Sequence, residues 1–192
     1  VVAALGPVLR PYLDMADLVF LQQAPTFNKE AANIYQGAIQ DKGGTLKKDE
    51  VVFPSEGETF GKIRIASVGI EASLIYGDNI KNMRKGVEVY SGTYLPGEDR
   101  TILIGGHNNT HFRTLKNVKT GDKVELQTNY GTYIYEVTGS RIARFDDTSA
   151  YDLTRAEENL ILYTCYNESK IGATPNRTFV YGKYVSGPKI VS

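Results

Sequence analysis

The hydrophobic pattern of the chain changes period once. Phe27, Ala31, Ile34, Tyr35 and Ala38 fall at helical spacing and form one apolar stripe. Thr26 or Asn28 can cap that helix and Gly43-Gly44 supplies a stop, so residues 1–44 are predicted to be helical. Residues 45–59 are polar, hold Pro54 and Gly57, and read as a connecting linker. From Gly61 the period is two. Lys62-Ile63-Arg64-Ile65 and Val124-Glu125-Leu126-Gln127 alternate, Asn129-Tyr130-Gly131 has turn chemistry, and Thr132 to Thr138 reads as a strand. Ile102-Leu103-Ile104 and Leu160-Ile161-Leu162 are continuous apolar runs, expected of strands buried on both faces. Phe179 to Val185 reads as a last strand, and Asn79 to Lys85, Phe112 to Val118 and Ser149 to Glu157 as short helices.

Many short strands separated by turns predict an all-β (mainly β) barrel or sandwich with small helices. The predicted plan is an N-terminal helical segment over 1–44, a linker over 45–59 and one β domain over 60–192. A chain of 192 residues suits one domain with a sizeable core. Lys plus Arg and Asp plus Glu number 22 each, so no basic field draws in a nucleic acid, whereas peptides and small ligands stay open. Val1 to Leu9 is apolar, but Arg10 and Pro11 end the run well short of the ~20 residues of a spanning helix. Because the chain begins at Val1 rather than Met, an N-terminal piece is expected to be missing, with Val1 to Leu9 as an anchor stub or an interfacial helix.

The single cysteine, Cys165, excludes an intrachain disulfide and any multi-thiolate metal site. His107 and His111 are the two histidines, and Glu98 and Asp99 lack the full oxygen set of a calcium site, so no cofactor or metal is expected. A lone cysteine is ordinarily a small buried hydrophobe. Its context changes that. Cys165 ends one apolar run, His107 follows another through Gly105-Gly106, and Arg177 precedes Thr178-Phe179-Val180. Three strand ends on a rigid scaffold are good mounts for a thiolate nucleophile, an acid/base and a fixed cation. Spacing alone does not bring them together.

Ile161-Leu162-Tyr163-Thr164-Cys165 resembles the sortase signature Thr-Leu-x-Thr-Cys, with Ile161 in the first position. Twelve residues on, Arg177 lies in a segment that resembles the family's arginine motif, and Gly106-His107 matches its histidine motif. The similarity runs in family order over about residues 60–185, through Gly61 to Ile65, Gly86 to Glu98, Phe112 to Lys116 and Gly121-Asp122. The run His107-x-x-Thr110-x-Phe112-Arg113, with Tyr166, Gly172 and Pro175, resembles class D. Asn108 stands where that class usually has Arg, and His111 where it usually has Phe.

The resemblance implies a closed eight-stranded β-barrel carrying Cys165, His107 and Arg177 as catalytic residues, with Thr164, Tyr166 and Thr110 binding the oxyanion or substrate. It implies a cysteine transpeptidase that cuts a Leu-Pro-x-Thr-type sorting signal of a secreted protein after Thr. The acyl group then passes through a thioacyl-enzyme to an amine of a peptidoglycan precursor or a pilin Lys. It also implies work on the outer face of the membrane of mainly Gram-positive bacteria, with membrane contact through an anchor absent from this chain. Several readings stay open from sequence. Thr164 serves the oxyanion or merely suits a strand, and His111 is a second proton carrier or a polar loop residue. Independent titration would leave about 1% of molecules as thiolate with imidazolium at pH 7, and a close ion pair is the other account. A cysteine hydrolase releasing the acyl group to water, and a binding barrel with an inert thiol, are the competing functions.

Overall fold

The computed structural model describes residues 44–77, 79, 81–166 and 174–192. The helical stripe from Phe27 to Ala38 lies outside the described residues. Period-two segments become strands β1 (Thr45–Lys47), β2 (Thr59–Ile65), β3 (Ile70–Tyr76), β4 (Val87–Val89), β5 (Thr101–Gly105), β6 (Lys123–Thr128), β7 (Thr132–Arg144), β8 (Asn159–Cys165), β9 (Asn176–Ser186) and β10 (Lys189–Val191). Eight of them close into a barrel in the order β2-β3-β4-β5-β8-β9-β7-β6, and β6 returns to β2. The β3–β4 and β5–β8 pairs are parallel, and the other neighbours are antiparallel. Closure leaves the barrel with no unpaired sheet edge.

Alternation along β5, β8 and β9 sorts their side chains between two cores. Ile102, Ile104, Leu160, Leu162 and Val180 join the barrel interior with Ile63, Leu74, Leu126, Tyr133 and Tyr135. Leu103, Ile161 and Phe179 point outward into a second cluster with Ala143 and Ala150. That outer face is covered by the connection from β7 to β8. Tyr151 stacks on Phe179 at 6.0 Å, Tyr181 Oη donates to the Ala150 carbonyl at 2.8 Å, and Thr101 Oγ1 donates to the Asp152 carbonyl at 3.0 Å. This cover is why β5 and β8 read as continuous apolar runs: every residue of β5 is buried.

Two local expectations come out differently. The predicted linker over 45–59 holds β1, which pairs in parallel with β10 through Thr45↔Lys189 and Leu46↔Ile190. Three residues leave too short a pattern to announce a strand, and the partner lies at the far end of the chain. The three expected helices are single 3₁₀ turns at Asn82–Arg84, Leu115–Asn117 and Thr148–Ala150. Each segment is too short to repay helix nucleation and buries one side chain or none, so the turn stops after one cycle.

Candidate active site

β5 and β8 run side by side in one direction, with Thr101↔Asn159 through Gly105↔Tyr163 in register. The pairing continues past the end of β5. Gly106 N donates to the Tyr163 carbonyl at 3.2 Å, and Thr164 Oγ1 donates to the Gly106 carbonyl at 2.7 Å. His107, the next residue, therefore leaves β5 level with Cys165 on a strand about 4.8 Å away. Glycine is required twice here. A Cβ on Gly105 would stand 2.6 Å from the Tyr163 ring, and one on Gly106 2.7 Å from Phe112. The ring of Tyr163 lies across β5 because Gly105 has no side chain.

On its other side β8 pairs with β9, where Cys165 and Arg177 are direct register partners. Residues opposed across an antiparallel pair share a face, with Cβ atoms about 4.5–5.5 Å apart. Cys165 and Arg177 continue the outward row of Ile161, Tyr163 and Phe179. Both are half-buried. Arg177 Nη1 donates to the carbonyls of Thr174 at 2.6 Å and Asn176 at 3.0 Å, and its Cζ sits 5.9 Å from the Phe145 ring centre. One edge of the guanidinium is thus held by its own strand end, which fixes the cation beside the thiol.

Each member of this pair lines a cavity. One, of about 300 Å³, is apolar and aromatic, lined by Tyr90, Leu103, Phe145, Tyr163, Arg177 and Phe179 among others. Burial, with the charge of Glu88, pushes the Tyr163 hydroxyl above its ordinary range, so this wall stays neutral. The other, of about 520 Å³, is polar and holds Cys165, Thr164 and Tyr166 together with Arg113, Lys116 and Ile142. The aromatic cavity is what sequence reading missed. Its signal was the alternation Ile161-Tyr163-Cys165, which puts an aromatic residue on the same face as the thiol.

The remaining candidates are placed as follows. Thr164 is 4% exposed with its hydroxyl proton given to Gly106, so the hydroxyl ties the His107 strand to the Cys165 strand. Tyr166 N donates to the Asn176 carbonyl at 2.9 Å, which holds the chain after Cys165 against β9. Thr110 lines neither cavity; its carbonyl accepts from Arg113 N at 3.3 Å, and its buried Oγ1 has no hydrogen-bond partner among the described residues. His111 Nε2 lies 3.4 Å from the Arg84 carbonyl. Burial holds the His111 pKa below its ordinary value, and the nearby His107 adds to that. Glu98 accepts from Leu95 N at 2.8 Å, Asp99 pairs with Lys189, and no group of three or more His, Cys, Asp or Glu among the described residues is set to hold a metal.

A half-exposed thiol at a strand end, with an imidazole strand on one side and a held guanidinium on the other, has the groups that thiol acyl transfer uses. The sortase-domain family model matches residues 63–185. The chain is 35% identical over 160 residues to sortase D of Bacillus subtilis strain 168, spanning 82% of this chain and 81% of the relative. In structure it is similar to the sortase D5 transpeptidase of Clostridium perfringens, with a TM-score of 0.63 at 20% identity over 82% of this chain and 97% of the other. It is also similar to a Clostridium perfringens sortase C with its C-terminal cell wall sorting motif, with a TM-score of 0.61 at 24% identity over 83% and 85% of the two chains. The chain belongs to the sortase family, cysteine transpeptidases that act on sorting-signal peptides of surface proteins. Its likeness within that family extends to class D. Sortases are in general extracytoplasmic, membrane-anchored enzymes; among the described residues here, no helix is long and apolar enough to cross a membrane.

Proposed function

We propose that Cys165, His107 and Arg177 are the nucleophile, the proton carrier and the carbonyl-holding cation of a transpeptidase for Leu-Pro-x-Thr-type sorting signals. The observation that carries this reading is the register pair Cys165↔Arg177, with β5 delivering His107 to the same end of β8. The apolar Leu-Pro part of the signal suits the aromatic cavity, which reaches Arg177, so the Thr carbonyl comes to lie between guanidinium and sulfur.

In the first half-reaction the Cys165 thiolate attacks that carbonyl. The S–C bond forms, Arg177 donates to the developing oxyanion, and the C–N bond breaks as His107 gives a proton to the leaving amine. In the second, an acceptor amine attacks the thioester, gives its proton to His107 and releases the thiolate. Thr164 acts as a positioning residue through Gly106, and Tyr166 forms part of the wall that the acceptor passes. Thr110 contributes by holding Arg113 in the loop after His107. The acceptor is an amine of a peptidoglycan precursor or a pilin Lys, and the place of action is the outer face of the membrane.

The test is a library of Leu-Pro-x-Thr-x peptides incubated with the protein with and without amine. The expected result is a Cys165 acyl-enzyme detected by mass, and an amide product that displaces the acid as amine is added. Acid alone at saturating amine makes the protein a hydrolase and overturns the reading.

A further inference from the structure

The cavity on the Cys165 side has a charge pattern that the reaction so far does not use. Among the described residues, Arg113, Lys116 and Arg141 line it, and no Asp or Glu does. Arg141 is committed outside it, paired with Asp147 and donating to Ser149. Arg113 and Lys116 are exposed and form no ion pair among the described residues. A sphere of 520 Å³ is about 10 Å across, which puts both cations within the reach of a ligand whose reacting atom is at Cys165. This cavity has Cys165 in its wall and shares no lining residue with the aromatic one, which has Arg177 and takes the acyl chain in the proposed reaction. In that reaction it is the space left beside Cys165 for an acceptor to reach the thioester.

Building on the transpeptidase reading, we propose that Arg113 and Lys116 select acceptor amines that carry a carboxylate within the span of this cavity from the attacking nitrogen. The physical reason has two parts. An anionic group gains attraction from two cations that pair with no carboxylate among the described residues. An amine without an anion, which enters largely as ammonium, meets only like charge in this cavity, and a diamine meets more of it. The acceptor nitrogen still attacks the thioester carbon, gives its proton to His107 and releases the Cys165 thiolate. The two cations act on where and how tightly the acceptor binds.

The test compares Nα-acetyl-lysine with Nα-acetyl-lysinamide, which share one side-chain amine and differ in one carboxylate. Acyl-enzyme formed from the sorting peptide is followed by mass, and amide formation as a function of acceptor concentration. The expected result is a kcat/KM about tenfold higher for the carboxylate form, expressed mainly in KM. Arg113→Gln with Lys116→Gln brings the ratio close to one, and half-molar salt shrinks it. Lys62→Gln, the loss of one half-buried charge on β2 outside this cavity, leaves the ratio as it was. Equal use of the two acceptors by the unaltered acyl-enzyme overturns the proposal and leaves the transpeptidase reading standing. So does a preference that survives the double substitution. If no library peptide acylates Cys165, the underlying reading fails and this one fails with it.

Discussion

The two polar cavities of the barrel differ in what their cations hold. The cavity at the Asn159 end of β8, about 630 Å³, is lined by Arg141, Arg155, Lys183 and Lys189. Each has a carboxylate: Arg141 pairs with Asp147, Arg155 lies near Asp152 and Glu157, Lys183 pairs with Glu136, and Lys189 with Asp99 and Glu158. Glu158 is buried and its oxygens are filled by Tyr135 Oη at 2.5 Å, Gly97 N at 3.2 Å and Lys189 Nζ at 2.8 Å. At the Cys165 end, Arg113 and Lys116 face a cavity with no carboxylate lining among the described residues. Charge matched inside the fold stabilises the fold, while charge left unmatched beside a thiol is available to a ligand. In the proposed reaction, one end of the barrel holds it together and the other works.

The sharpest test of that division is Cys165→Ala. Peptide cleavage is expected to fall at least about a thousandfold, because no other thiol exists to form the acyl-enzyme. The unfolding midpoint should barely move, since Cys165 is half-exposed and loses one polarizable atom; a change beyond about 0.5 kcal/mol would contradict this. Glu158→Gln does the reverse. It leaves Lys189 with a weaker partner and cuts the charge-assisted bonds to Tyr135 and Gly97, so chemical denaturation should show a loss of about 2–4 kcal/mol. Acylation of the remaining folded protein should stay within about twofold of the parent. A large drop in acylation with stability intact would show that the two ends are coupled.

The sequence was informative where the signal was local. The runs around Leu103 and Ile161 marked the two parallel strands, and the ends of those runs marked His107 and Cys165. Register was not legible. That Arg177 faces Cys165 depends on how β8 and β9 pair, and that β1 pairs with β10 depends on segments more than a hundred residues apart. The aromatic cavity was hidden for a similar reason. Tyr90, Leu103, Phe145 and Phe179 come from four separate segments, and each alone reads as an ordinary core residue. The residues of the Cys165 cavity fared no better, because an exposed Arg113 or Lys116 looks in sequence like any solvated charge.

Gly105→Ala probes the joint between the two sides of the thiol. The added Cβ would stand 2.6 Å from Tyr163 Cζ and Oη, so the ring must swing off β5. The strand itself tolerates Ala. Repositioning a packed ring costs about 1–3 kcal/mol. Because Tyr163 is a wall of the aromatic cavity, the expected readout is a KM for the sorting peptide raised several-fold while the preference between carboxylate and carboxamide acceptors holds. An altered acceptor preference with peptide KM intact would mean that the two cavities are assigned the wrong way round.

The smallest effect concerns acid, and it separates the two ends by pH. His111 is half-buried at the Cys165 end, docked at the Arg84 carbonyl, and its pKa is lowered chiefly by burial, with a further push from His107 against the pull of that carbonyl. A base whose folded pKa lies below its unfolded one favours folding while neutral. Its contribution is full above the ordinary value near 6.5 and is lost as pH falls through the lower, folded value. Unfolded chains then take up a proton that the folded protein resists. Denaturation at pH 7.5 and at pH 5 should therefore show a stability decline in the parent that is smaller in His111→Gln, whose side-chain amide can still donate to Arg84. Glu158→Gln, at the opposite end, should keep the parent's decline over this interval, since His111 is untouched. A His111→Gln protein that loses as much stability as the parent between these pH values would remove His111 as the source, and the acid sensitivity would have to be sought elsewhere in the barrel.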